Sequence, residues 1–384
     1  MTTPLRAPQA ATIRSHEASA ASLNNLIAAT PREWVLTETP RPGEPVSALF
    51  ARLAAKLRGG RGELLSVMIY GSVAHHAEIE QAMVAALGVC EWPVTWVEGA
   101  SCDGAPLAGV QAFAWSGGDI TRIRVGGRVV GSVYADVAAR HCLLGGLSPV
   151  ATGMSATAQL QQLFAGLELA LELAGFALAD VVRTWFYNDD ILAWYDDFNR
   201  VRSALYGAVQ WRTGSLPAST GIGARNVAGA ALQVALWAVQ PRAGRAGGGG
   251  SCAREIASPL QCPAPAYGSS FSRAMEITSG GLQRLLVSGT ASIHPGGKTA
   301  WVGDARKQVE LTMEVVAAIL HSRGLGYGEV TRATTYFRHA EDRRHFAAWV
   351  AERELGAMPV VDTCSVVCRG DLLFEIELDA VKAT

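Results

Sequence analysis

Near its C-terminus the chain reads VVCRGDLLFEIELDA, from Val366 to Ala380. Glu375 stands there among Leu373, Phe374 and Ile376, and Cys368 precedes it in the same apolar run. A carboxyl surrounded by hydrocarbon loses hydration in its charged form, so its pKa rises and it keeps a proton toward neutral pH. Such a group is suited to general-acid work. A thiol in such a run is either a small buried hydrophobe or, facing a site, a nucleophile or proton carrier. An unbroken strand would point Cys368 and Glu375 to opposite faces, because they are an odd number of residues apart. The RGD triplet, Arg369 to Asp371, is a turn or bulge that resets the face.

The elements that position these groups come as an internal repeat. GFALADVVRTWFYNDDILAWYDDFNRV begins at Gly175, and GLGYGEVTRATTYFRHAEDRRHFAAWV begins at Gly324. Each holds a glycine, an acidic residue, a β-branched strand ending in an aromatic, an acidic turn and an amphipathic helix. An apolar helix precedes each copy (ATAQLQQLFAGLELALELAG and ARKQVELTMEVVAAILHSRG), and a glycine-rich hairpin precedes that helix. A closing strand follows each copy, GAALQVALWAV and GDLLFEIELDAV. The order β-β-α-β-α-β in each half predicts an α+β architecture, helices covering one face of a mixed sheet. With the closing strands aligned and a one-residue gap allowed after the glycine, Gln233 falls at the place of Glu375. One copy keeps an acid and the other an amide, which points to the second half as the chemical one.

Residues 1–33, rich in Ala, Thr and Ser, are expected to be disordered. Residues 34–130 alternate short apolar runs with Gly-containing turns, which predicts an N-terminal β-rich segment with one helix over 77–87. The repeat units then occupy 131–245 and 246–384, the second opened by the linker RAGRAGGGGS. The GGGG run lacks the Lys-Ser/Thr that would make it a phosphate loop.

The 384 residues suit two or three domains, and with 49% hydrophobic and 17% charged residues they can bury large cores. A net charge of −1 argues against nucleic acid as a partner. No apolar run has the character of a secretory signal or of a membrane span, so a soluble, cytoplasmic protein is expected. Seven cysteines without a CxxC pair argue for reduced thiols and against structural zinc, and Cys364 with Cys368 makes no metal cage.

The repeated unit resembles the YjgF/RidA fold, whose final strand reads much like LFEIELDA. Two such units behind an N-terminal segment resemble the chorismatases. The matching motifs are PASTGIGA (Pro217 to Ala224), YGSSFSRA (Tyr267 to Ala274), VSGTAS (Val287 to Ser292), YFR (Tyr336 to Arg338) and CRGDLLFEIE (Cys368 to Glu377). The resemblance covers residues 130–384. It implies two fused units plus the N-terminal segment in a pseudo-trimeric barrel, so that one chain forms a monomer, or a weak assembly of such monomers, with its active site in a cleft between units. It also implies a chorismate-cleaving enzyme that releases pyruvate and needs no metal or organic cofactor.

Chorismate carries a ring carboxylate, a C4 hydroxyl and, on C3, an enolpyruvyl ether with a second carboxylate. The resemblance implies that Glu375 protonates the enol ether. It places Arg202, Arg273 and Arg338 where arginine's paired hydrogen bonds would hold carboxylates, with Tyr267 as a hydroxyl donor and Tyr187 beside the site. One branch of the family hydrolyses chorismate to a dihydroxycyclohexadiene acid and carries alanine at two positions. The branch that forms 3-hydroxybenzoate through an arene-oxide-like intermediate carries glycine and cysteine there. Here those positions are Gly289, which would free space near the ring, and Cys368. Two alternatives stand beside this reading. An imine deaminase of the RidA type would need an arginine where PASTGIG has Ala218, and a non-catalytic small-molecule binding protein would need no acid.

Overall fold

The computed structural model describes residues 33–242 and 252–384. The disorder expected of the N-terminus and the glycine linker falls on 1–32 and 243–251, outside the described residues. The described residues form three sheets, each carrying two α-helices on one face. The first comprises β1 (Glu33–Glu38), α1 (Val46–Gly60), β2 (Glu63–Gly71), α2 (His76–Leu87), β3 (Val94–Val97) and, after the short β4 (Ala100–Ser101), β5 (Leu107–Trp115). The second comprises β6 (Thr121–Val125), β7 (Arg128–Ala135), β8 (Ala139–Leu147), α3 (Ala156–Leu173), β9 (Val181–Asn188), α4 (Ile191–Gly207), β10 (Ala218–Gly223) and β11 (Leu232–Pro241). The third comprises β12 (Ala253–Ile256), β13 (Ala274–Ser279), β14 (Leu282–Ala291), α5 (Ala305–Ser322), β15 (Val330–Phe337), α6 (Arg343–Glu352), β16 (Val360–Cys364) and β17 (Phe374–Ala383).

The strand orders are β1-β5-β2-β3, β10-β9-β11-β8-β7-β6 and β12-β13-β14-β17-β15-β16-β4. Within each, the same pattern recurs: β3-β2-β5-β1, β10-β9-β11-β8 and β16-β15-β17-β14. The N-terminal segment is therefore a shortened copy of the repeated unit, and it holds two helices where the sequence suggested one. The second is α1, whose Leu49, Phe50, Leu53 and Leu57 form an apolar stripe buried on the first sheet. β10 and β16, which run parallel to β9 and β15, add a strand to the order expected for each half.

The repeated sequence features have local causes. Gly175 and Gly324 adopt φ of +71° and +65° just beyond α3 and α5, where glycine carries no Cβ penalty. The acidic residues that follow, Asp180 and Glu329, accept the backbone N–H of Ala177 and Gly326 at 2.9 and 2.7 Å and close the same turn in both copies. The N-caps Ser155 and Asp304 start the two helices by accepting N–H groups of Ala158 and Lys307.

The helices cover the outer faces in three separate apolar clusters. The inner faces of all three sheets share one core, in which Tyr70, Tyr187 and Tyr336 occupy matching places near the ends of β2, β9 and β15. The α+β class and the repeated units hold, but among the described residues no sheet closes into the expected barrel. The edges of the second and third sheets meet only at isolated bridges, Ala218 with Ser272 and Gly223 with Val366, and through side chains. No helix among the described residues is long and apolar enough to cross a membrane.

Candidate active site

Along β17, Phe374, Ile376, Leu378 and Ala380 turn outward under α5 and α6. The alternate residues Glu375, Glu377 and Asp379 therefore face inward. A pocket opens where Glu375 meets the seam between the second and third sheets. From the second sheet come Tyr195, Phe198 and Arg202 of α4 with Ser219 and Gly221 of β10. From the third come Tyr267, Phe271, Arg273, Gly289, Cys368, Arg369 and Glu375.

The motifs meet here because they sew this seam. The Ser219 N–H donates to Ser288 Oγ at 2.9 Å, Ser288 Oγ donates to the Ser272 carbonyl at 2.5 Å, and the Ser272 N–H donates to the Pro217 carbonyl at 3.0 Å. The Gly289 N–H donates to Thr220 Oγ1 at 3.0 Å. The seam between the first and second sheets repeats that bond, with the Gly146 N–H on Thr95 Oγ1 at 2.9 Å.

Strand register places Glu375 opposite Tyr336, Gln233 opposite Tyr187 and Gly109 opposite Tyr70. Only the third copy carries an acid at that place. Gln233 donates its amide to the Trp96 carbonyl, so the second copy spends this position on structure.

Glu375 is 4% exposed. Burial, followed by the neighbouring charge of Glu377, pushes its carboxyl up to about 8, and Arg183, Arg273 and Arg369 only partly oppose this. Cys368 does not lie on the strand: residues 365–373 form a loop between β16 and β17, which brings its thiol to the same pocket as Glu375. The odd spacing is thereby reconciled. Burial, then the proximity of Glu375, pushes that thiol up to about 12, although a hydrogen bond from Tyr195 pulls the other way. A thiol held so high is not a thiolate near neutral pH, which favours proton carriage over nucleophilic attack.

Three guanidiniums face the pocket. Arg202, 2% exposed, donates to Asn199 Oδ1 at 2.8 Å and lies over Phe198, with its buried Nε unpartnered. Arg273 donates twice to the Cys262 carbonyl, at 3.1 and 2.9 Å, and Arg369 donates to the Gly297 carbonyl at 2.7 Å. These two stack on the Tyr267 ring, each 5.3 Å from its centroid. None of the three has a carboxylate partner among the described residues. Three buried or half-buried cations beside one raised carboxyl make a receptor for a small, multiply charged anion, with an acid at hand.

Of the residues singled out in the sequence, Glu375, Cys368, Arg202, Tyr267, Arg273 and Gly289 line this pocket. Two do not. Tyr187 lies wholly within the common core, its hydroxyl 4.0 Å from Met68 Sδ, because the end of β9 faces the other two sheets. Arg338 sits just past β15; its N–H donates to the Leu373 carbonyl at 3.0 Å and its Nη1 to the Arg369 carbonyl at 3.4 Å. It braces the loop that carries Cys368 and Arg369. Arg369 itself was not singled out, since RGD reads as a turn, and neither was Tyr195. Gly289 also does something other than leave room for a ring: a Cβ there would stand 2.1 Å from Glu375 Oε1, so the glycine makes room for the acid.

A pocket with one carboxyl of raised pKa and three guanidiniums without carboxylate partners among the described residues, set between two such units, has the makings of an acid-equipped anion site. No protein-family model matches the chain. A 3-hydroxybenzoate synthase of Streptomyces hygroscopicus is 30% identical over 234 residues, which cover 53% of this chain and 64% of that protein. A chorismatase of Streptomyces rapamycinicus is 29% identical over 222 residues, covering 51% of this chain and 63% of the relative. The matched region thus spans just under two thirds of each relative. A crystal structure of a chorismatase superposes with a TM-score of 0.63 at 20% identity, covering 92% of this chain and all of the other, and so shares the fold. The chain is thus similar in sequence to a 3-hydroxybenzoate synthase and a chorismatase and has the fold of a chorismatase.

Proposed function

We propose that this chain cleaves chorismate to pyruvate and 3-hydroxybenzoate. The observation that carries the reading is the buried Glu375, its pKa raised by burial and by Glu377, facing guanidiniums that lack carboxylate partners among the described residues. The two carboxylates of chorismate would take up those guanidiniums, in a pocket lined by both the second and the third unit. Glu375 gives its proton to the terminal methylene of the enol ether, making an oxocarbenium-like ether. The C4 oxygen attacks C3 as the C3–O bond breaks, pyruvate leaves with the ether oxygen, and the C4 hydroxyl proton returns to Glu375. Opening of the arene-oxide-like product and loss of a ring proton give 3-hydroxybenzoate, with no net water consumed.

Gly289 and Cys368 favour this branch over hydrolysis, on the family resemblance. A high thiol pKa suits Cys368 to proton transfer during ring opening. Incubation with chorismate, followed by chromatography of the products, tests the reading: pyruvate and 3-hydroxybenzoate in equal amounts are expected, and absence of pyruvate would return the imine deaminase or a binding protein to first place. Cys368→Ala is expected to divert product toward the dihydroxycyclohexadiene acid. Unchanged 3-hydroxybenzoate output would remove Cys368 from the chemistry.

Arg273→Gln is expected to raise KM for chorismate by about 10–100-fold, the worth of one charge-assisted hydrogen bond, and to lower kcat far less. A KM within twofold of wild type would take Arg273 out of substrate binding.

A further inference from the structure

On the inner face of β17, Glu375, Glu377 and Asp379 form a row of three carboxyls, and two fully buried guanidiniums meet that row, Arg183 from β9 and Arg332 from β15. Glu377, 0% exposed, accepts from Arg183 Nη2, from Arg332 Nη1 at 3.1 Å, from Thr220 Oγ1 at 2.6 Å and from the Tyr336 hydroxyl at 3.3 Å. Asp379 accepts from Arg332 Nε at 2.9 Å. The two cations are thus matched by two carboxylates, and neither donates a hydrogen bond to Glu375. Buried charge persists only when it is paired and hydrogen-bonded, so this row is neutral when Glu375 alone keeps its proton.

We propose that Glu377 is a positioning residue for the acid, holding the proton on Glu375 by pairing with the cations behind it and holding the Glu375 carboxyl in place through Thr220. Thr220 Oγ1, which donates to Glu377, accepts the N–H of Gly289, and Gly289 is the residue against which the Glu375 carboxyl rests. The electrostatics agree. Burial pushes Glu377 up, yet Arg332 and Arg183 hold it below the usual carboxylate range, so it stays an anion beside Glu375. The other charged or titratable groups around Glu375 are Cys368 and Arg369 from the 365–373 loop, Arg273 from the segment before β13, Arg183 behind it, and Arg202 and Tyr195 of α4 with Tyr267, which also line the pocket. The substrate's carboxylates would neutralise the pocket arginines, which leaves Glu377 and Arg183 as the fixed charges behind the acid.

This inference rests on Glu375 as the proton donor. Glu377→Gln keeps the shape and several acceptor contacts but removes the anion, so Glu375 should ionise more readily. The alkaline limb of the kcat–pH profile is expected to move down by a unit or more, a roughly tenfold loss at the pH of the wild-type limb, with KM within about twofold. Glu377→Asp, which restores the charge, is expected to bring the limb back. Infrared spectroscopy supplies the direct readout: a protonated-carboxyl band absent from Glu375→Gln should titrate at lower pH in Glu377→Gln than in wild type. Should Glu377→Gln fail to fold, Arg183→Gln removes a cation from the same pair and must move the limb upward. An unmoved limb and band in either folded variant overturns the role of Glu377. A wild-type protein without that band, or without pyruvate release, sinks the reading of Glu375 instead.

Discussion

Glu375→Gln is expected to lower the rate of pyruvate release from chorismate by about 10²–10⁴-fold, the usual contribution of a positioned general acid. Gln is nearly isosteric and cannot donate a proton to the enol ether, so substrate binding should survive while turnover is lost. Wild-type turnover should be highest where Glu375 is protonated and fall as pH rises through about 8. Stability should follow the same proton. The folded chain keeps it up to about pH 8, whereas an unfolded chain releases it near 4.5. Between those values the folded state binds more protons, so wild-type stability falls as pH rises through that window. Glu375→Gln removes this slope, and its melting temperature should gain on that of wild type between pH 5 and pH 9. Melts and initial rates on one preparation check both halves. A variant that still releases pyruvate at near wild-type rate would end the assignment, whatever its melting behaviour.

The acid was legible because a carboxylate in an apolar strand breaks the pattern around it, and a second copy without the acid stood in the same chain for comparison. The register of Gln233 and Glu375 against Tyr187 and Tyr336 follows that alignment. The helix–strand rhythm of the two C-terminal copies was legible for the same reason: periodicity, glycine punctuation and acidic turn residues occur twice. The first copy was not, because it lacks the Gly-rich hairpin and shares no motif; only strand order exposes it. Arg338 and Tyr187 were misplaced for a geometric reason. Sequence shows that a residue ends a strand but not which neighbouring sheet that end faces, and here the end of β9 faces the common core. Arg369 was hidden in the opposite way. A turn triplet announces a loop, and only the fold shows that this loop folds back over the pocket to stack Arg369 on Tyr267.

Gly289→Ala separates the two readings of that glycine. If it served only to leave space for substrate, alanine would crowd the ring and act mainly on KM. The geometry instead sets the new methyl 2.1 Å from Glu375 Oε1 and 3.3 Å from Thr220 Cγ2, in conflict first with the end of a flexible side chain and not with backbone. Gly289 lies where the pairing of β14 with β17 shifts register, between Val287 and Thr290, but its φ is outside the left-handed region, so alanine meets no left-handed penalty there. The carboxyl should therefore swing aside at little cost, and the fold should stay intact, with a melting temperature close to wild type. Displacing a catalytic group by about 1 Å costs on the order of 10²-fold in rate. The expected result is a kcat lowered by about that factor with KM little changed. A second effect follows from the same movement. A carboxyl moved away from Glu377 and toward the pocket arginines becomes easier to ionise, so the alkaline limb of the residual activity should lie below that of wild type. A raised KM with unchanged kcat would show that Gly289 makes room for substrate, and that the acid finds its place without it.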